Sequence, residues 1–134
     1  MEKLHMSYSF SKIVTGSFEQ AVEKVTEELK KEGFGVLTEI DVKATMKKKI
    51  DKDMKPYKIL GACNPGYAFK AIEAESLIGL MLPCNVLVRE TEDGRIEVSA
   101  IDPVQSMMAV KNESLHGLAK EVRAKLSKVI ESLN

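Results

Sequence analysis

The strongest constraint in this chain is a short alternation behind a turn. Ile96, Val98 and Ala100 interleave with Glu97 and Ser99, directly after Thr91-Glu92-Asp93-Gly94. Period-two alternation puts every second side chain on one face of a strand, and a Gly-containing polar tetrapeptide between two such runs signals a hairpin. Strands are therefore expected over Asn85–Glu90 and Arg95–Ile101, in an antiparallel sheet with one apolar face and one partly polar face. An apolar sheet face is stable in water only when something covers it.

Two helices supply the cover. Leu115, Leu118, Val122, Leu126, Val129 and Leu133 trace an apolar stripe through a helix from about Asn112 to Ser132. Earlier, Ser17-Phe18-Glu19-Gln20 fits a capping box, and Phe18, Ala21, Val22, Val25 and Leu29 follow at helical spacing. Gly33 suits the left-handed residue that ends such a helix.

Further strands are expected over Tyr8–Thr15, Phe34–Ile40 and Tyr57–Ala62, and Asp41 can cap a short helix reaching Ile50. Asn64-Pro65 has the order of a cap followed by the first helical residue, opening a helix to about Ala74. Leu77–Leu82 fits a helical turn or a short strand, and Asp102-Pro103 ends the last strand. The sum is an α+β, two-layer β-α-β4-α domain with short helical insertions. Its five-stranded sheet is antiparallel or mixed, with helices on one face. Residues 8–134 form this single domain, and 1–7 are an N-terminal overhang outside it.

Twenty basic and twenty acidic residues cancel, which argues against a nucleic-acid binder, since such proteins carry a basic excess. Lys47-Lys48-Lys49 is followed by Asp51 and Asp53 and reads as a solvated helix face. No apolar run is long enough to span a bilayer, and Met1–Phe10 lacks a signal-peptide core. A cytoplasmic location, no membrane association and free thiols rather than a disulfide are the expectations. Two His and two Cys without short ligand spacing make no metal site. No Ser-His-Asp set, phosphate-cradling loop or nucleotide fingerprint is present.

What remains is a pair of tripeptides, Ala62-Cys63-Asn64 and Pro83-Cys84-Asn85, each at a strand end. Antiparallel neighbours would bring both to one sheet edge, with Asp102 on the same or the opposite rim. Cys63 then precedes a helix whose first amides favour a thiolate. The candidate ligand-binding residues are Cys63, Asn64, Cys84, Asn85 and Asp102. A structural reading stands beside this one: free cysteine is among the most buried residue types, and Asn64 is explained as a helix cap. Met107-Met108 can line an adaptable pocket, pack under the last helix or sit in a dimer seam.

Four blocks carry a family resemblance: Gly33-Phe34-Gly35-Val36 through Asp41-Val42; Pro56-Tyr57-Lys58-Ile59-Leu60-Gly61-Ala62-Cys63-Asn64-Pro65; Ile78-Gly79-Leu80-Met81-Leu82-Pro83-Cys84-Asn85-Val86; and Val98-Ser99-Ala100-Ile101-Asp102-Pro103. Together they resemble domain-of-unknown-function family 302, over nearly the whole chain from Tyr8. The resemblance implies a fold like one repeat of the TATA-binding protein, and a homodimer. It implies no reaction, and fold analogy alone assigns none.

Three functions follow, in order: a small-ligand binding or sensing module with its site at the Cys63/Cys84 strand ends; an interaction or assembly module using the open sheet face; and a thiol enzyme using Cys63. The residues leave cofactor, ligand and reaction unassigned.

Overall fold

The computed structural model describes residues 8–134; the expected overhang, 1–7, lies outside the described residues. The first strand, β1 (Ser9–Val14), leads into α1 (Phe18–Lys31), then β2 (Gly35–Asp41), α2 (Val42–Ile50) and β3 (Tyr57–Cys63). After these come α3 (Pro65–Ala74), a 3₁₀ turn (Ile78–Met81), β4 (Cys84–Glu90), β5 (Ile96–Ile101), α4 (Pro103–Ser106) and α5 (Glu113–Glu131). The strands form one five-stranded sheet in the order β1-β5-β4-β3-β2, with every neighbouring pair antiparallel. Of the two sheets the sequence allows, antiparallel and mixed, the protein adopts the antiparallel one.

Local chemistry explains most element ends. Ser17 Oγ accepts from the Gln20 amide at 3.1 Å while Gln20 Oε1 accepts from the Ser17 amide at 2.9 Å, closing the capping box. Gly33 takes φ +88° after α1, a conformation that disfavours any residue with a Cβ. The Asp41 carboxylate caps α2 through the Ala44 amide at 2.9 Å. No residue of α2 is fully buried, and Lys47 pairs with Asp51 and Asp53, so its basic run is the solvated face the sequence suggests. Leu77–Leu82 resolves as a 3₁₀ turn. At Asp102-Pro103 the chain does more than end a strand: the Asp102 carboxylate accepts from the Val104 amide at 2.9 Å and starts α4.

The core lies between one sheet face and two helices. Leu60, Ala62, Val86, Val88, Val98 and Ala100 are buried on the sheet side, against Val25 and Leu29 of α1 and Val122, Leu126 and Val129 of α5. Burying a Leu or Val side chain contributes roughly 1.5–3 kcal/mol, so this layer accounts for much of the drive to fold. Lys12 faces the same layer, paired in register with Val98, although its head is charged. It reaches the end of α5 instead, where Nζ donates to the Glu131 and Leu133 carbonyls at 3.0 and 2.6 Å. A cation there satisfies orphan carbonyls and complements the helix dipole. Thr15 also donates from its amide and hydroxyl to the Asn134 carbonyl, both at 2.9 Å.

Two irregularities shape the sheet where the site forms. Register shifts between Val36 and Thr38, leaving Leu37 as an extra residue that is 67% exposed. Gly61, in β3, is overlain by Thr38 and Pro83: a Cβ there would lie 2.8 Å from Pro83 Cγ, and closer still to Thr38 Oγ1. The polar face carries a Ser11–Ser99 hydroxyl bond at 2.7 Å and an Arg89–Glu97 ion pair at 2.8 Å.

Candidate functional site

Register decides which residues meet. Ala62 pairs with Cys84, Gly35 with Cys63, and Val86 with Ala100. The end of β3, the start of β4 and the end of β5 therefore share one edge, and the two thiols come to that edge as the antiparallel argument expects. Above it, residues of α3 and α5 line a cleft of about 290 Å³. Ala62, Cys84 and Phe34 lie at its base, Ala68 and Ala71 on the α3 side and Leu118 and Ala119 on the α5 side. Met107 is buried with Leu115 and Ala119 of α5 and also lines the cleft, so it both packs under the last helix and forms part of the wall; Met108 is exposed.

Of the five residues singled out from the sequence, Cys63, Asn64 and Cys84 line this cleft. Asn85 does not: it follows Cys84 in the strand, so alternation sends it to the other sheet face, where it is exposed. Asp102 does not either. Its carboxylate is buried, 5% exposed, and is used twice, capping α4 and meeting Arg123 Nε of α5 at 3.2 Å. Arg123 in turn lies 5.7 Å from the centre of the Phe10 ring. The role is architectural, joining β5, α4 and α5. Asp102→Ala is expected to lower unfolding free energy by about 2 kcal/mol, mostly through the lost cap because Arg123 is half in water. Urea titration checks this, and a loss under 0.5 kcal/mol would show the cap to be idle.

Asn64 occupies the cap position of α3 without capping it. No α3 amide bonds its side chain; Nδ2 donates instead to the Glu32 carbonyl, at 3.2 Å. The acceptor is a carbonyl, so the amide group at that end must be the donor. Asn64 therefore ties the start of α3 to the end of α1, beside Gly33, whose missing Cβ would lie 3.0 Å from Nδ2. Helix-cap chemistry is the wrong account of this residue, because the end of α1 lies within reach and offers an orphan carbonyl.

Both cysteines are free thiols. Burial first, and then the neighbouring Cys63, push the Cys84 thiol up to about 11. At neutral pH it is a protonated, apolar-behaving wall group and not a nucleophile. Alkylation of Cys84 in the folded protein is expected to be about 100-fold slower at pH 8 than that of an unperturbed thiol, its rate rising until the pH passes about 11. Mass-resolved iodoacetamide labelling reads this, and fast labelling at pH 8 would contradict the burial.

Sequence reasoning missed the alanines. Ala68, Ala71 and Ala119 lie where larger residues would close the gap between α3 and α5. Small residues on the facing sides of two helices were the available signal. The chain also exposes large apolar groups nearby: Phe69 at 63%, Leu77 at 68% and Leu80 at 84%. Among the described residues no helix is long and apolar enough to cross a membrane.

Comparison with known proteins agrees with this architecture. An uncharacterized conserved protein from Bacillus stearothermophilus, known from a crystal structure and itself described as DUF302, superposes with a TM-score of 0.88. The two are 24% identical, and the match covers 95% of this chain and 98% of that one, which shows a shared fold. No curated protein matches the chain. The profile described as "Domain of unknown function DUF302" matches residues 10–133, which contain all five strands except Ser9 together with the whole cleft. The chain belongs to the DUF302 family.

Proposed function

We propose that the protein is a small-molecule binding module and that its site is the cleft between α3, α5 and the Cys63/Cys84 sheet edge. One observation carries this: a preformed concavity whose lining contains no Asp, Glu, Lys, Arg or His. Ligand sites are typically concave, mostly apolar and few per protein. Thiol chemistry is less well supported, since the partner expected to resolve Cys63 is a protonated buried thiol.

The test is binding of 1-aminonaphthalene, a small uncharged fluorophore whose emission responds to apolar surroundings. One site per chain is expected, weakened at least about tenfold in Ala68→Phe, where a ring fills the half-buried α3 side of the cleft. Binding unchanged in that variant would remove the cleft from consideration.

Assembly is the second reading, favoured by the exposure of Leu37, Phe69, Leu77 and Leu80. Side chains of this kind on a folded surface often mark protein contacts. The expected form is a homodimer. Native mass spectrometry decides between them: a dimer without bound small molecule supports this reading, whereas a retained small molecule, in a monomer or a dimer, supports the first.

A further inference from the structure

We infer that the ligand of the cleft is an uncharged, largely hydrocarbon molecule, and that anionic and cationic relatives of the same body are excluded. The inference rests on the cleft being the binding site, and it names the ligand class that this site accepts.

Size comes first. A cleft of about 290 Å³, open to solvent on one side, has room for at least a single ring with substituents or a chain of eight carbons.

Charge comes second. An ionised group taken into an apolar site must meet a counter-charge or several hydrogen bonds, or it stays in water. The lining offers neither. Its polar side chains are Asn64, Tyr67 and the two thiols, and one N–H of the Asn64 amide is used by the Glu32 carbonyl. Tyr67 is committed as well, its hydroxyl donating to Glu121 Oε1 at 2.9 Å. The nearest buried acid, Asp102, turns away to Arg123 and the Val104 amide.

The rim gives no better anchor. Lys70 lies 6.0 Å from the centre of the Tyr67 ring and Glu121 holds the Tyr67 hydroxyl, so an acid and a base stand near the same residue. Neither of these charged side chains belongs to the lining of the cleft. What remains available is a neutral acceptor: Asn64 Oδ1 takes no hydrogen bond from the described residues. A neutral hydroxyl or N–H on the ligand suits such a group.

Three ligands with one tail separate the terms: 1-octanol, octanoate and octylammonium, titrated by calorimetry at pH 7.5 into the full chain and into Ala68→Phe. Octanol is expected to bind one site per chain, with both ions at least about tenfold weaker, and octanol binding is expected to fall at least about tenfold in the variant. Octanoate or octylammonium binding as tightly as octanol, and losing that binding in Ala68→Phe, would overturn the uncharged-ligand inference and leave the cleft as the site. Failure of all three to bind, or binding indifferent to the variant, would overturn the site and the inference together. Should Ala68→Phe not fold, protection of Cys84 from iodoacetamide by saturating octanol reads the same cleft without a substitution. Protection by octanol alone supports the inference; equal protection by an ion overturns it, and no protection overturns the site.

Discussion

Leu126→Ala lowers the unfolding free energy by about 4 kcal/mol and the melting temperature by about 15 °C. Leu126 is fully buried on α5, in the cluster that includes Val98, Ala100, Val25 and Leu29. Truncation removes the transfer free energy of three carbons and leaves a hole beneath a helix held between two others. The sheet below is paired on both sides of β5 and β4 and cannot sink to fill the space, so relaxation recovers little. Guanidinium denaturation with an unchanged slope is the measurement. A loss below 1 kcal/mol would mean that α5 is not seated on the sheet as described.

The second large effect lies beside the cleft. Gly61→Val is expected to cost about 3 kcal/mol, although glycine in a strand interior is ordinarily a weakness that valine repairs. The sign reverses here because the space above Gly61 is occupied. Thr38 Oγ1 can rotate aside, but Pro83 is a ring fixed to the chain just before β4, and a Cβ would approach its Cγ to 2.8 Å. Overpacking of this kind displaces backbone. The displaced backbone carries Cys84, so the variant is also expected to label faster with iodoacetamide at pH 8. A variant as stable as the parent would show that Pro83 does not rest on Gly61.

The fold was largely legible because the signals that specify it are local. The capping box at Ser17–Gln20, the turn at Thr91–Gly94, the alternation in β5 and the α5 stripe each act within a few residues. What was illegible depends on partners distant in sequence. Asn64 reads as a cap until the end of α1 is known to lie beside it. Asp102 reads as the end of a strand and a candidate rim residue, and only the approach of Arg123 from α5 makes it a buried ion-pair member. Asn85 was grouped with Cys84 by adjacency, which in a strand is the very relation that separates two side chains. The cleft itself was hidden because a void is written in what is small: the alanines on α3 and α5 carry no chemistry that draws notice.

The bonds that hold β1 to the last residues of the chain carry a consequence for the order of events in folding. Lys12 and Thr15 reach groups 119 and 121 residues further along, and β1 completes its pairing only with β5. Closing loops of that length is entropically slow, and rates fall as contacting residues become more distant in sequence. A nascent chain can form α1 early, but it cannot finish the sheet or anchor α5 until both ends are free to meet. Completion is therefore a late and cooperative event. Until then β5 is an edge strand with an unpaired ladder, the arrangement in which two copies of a sheet protein most readily join each other.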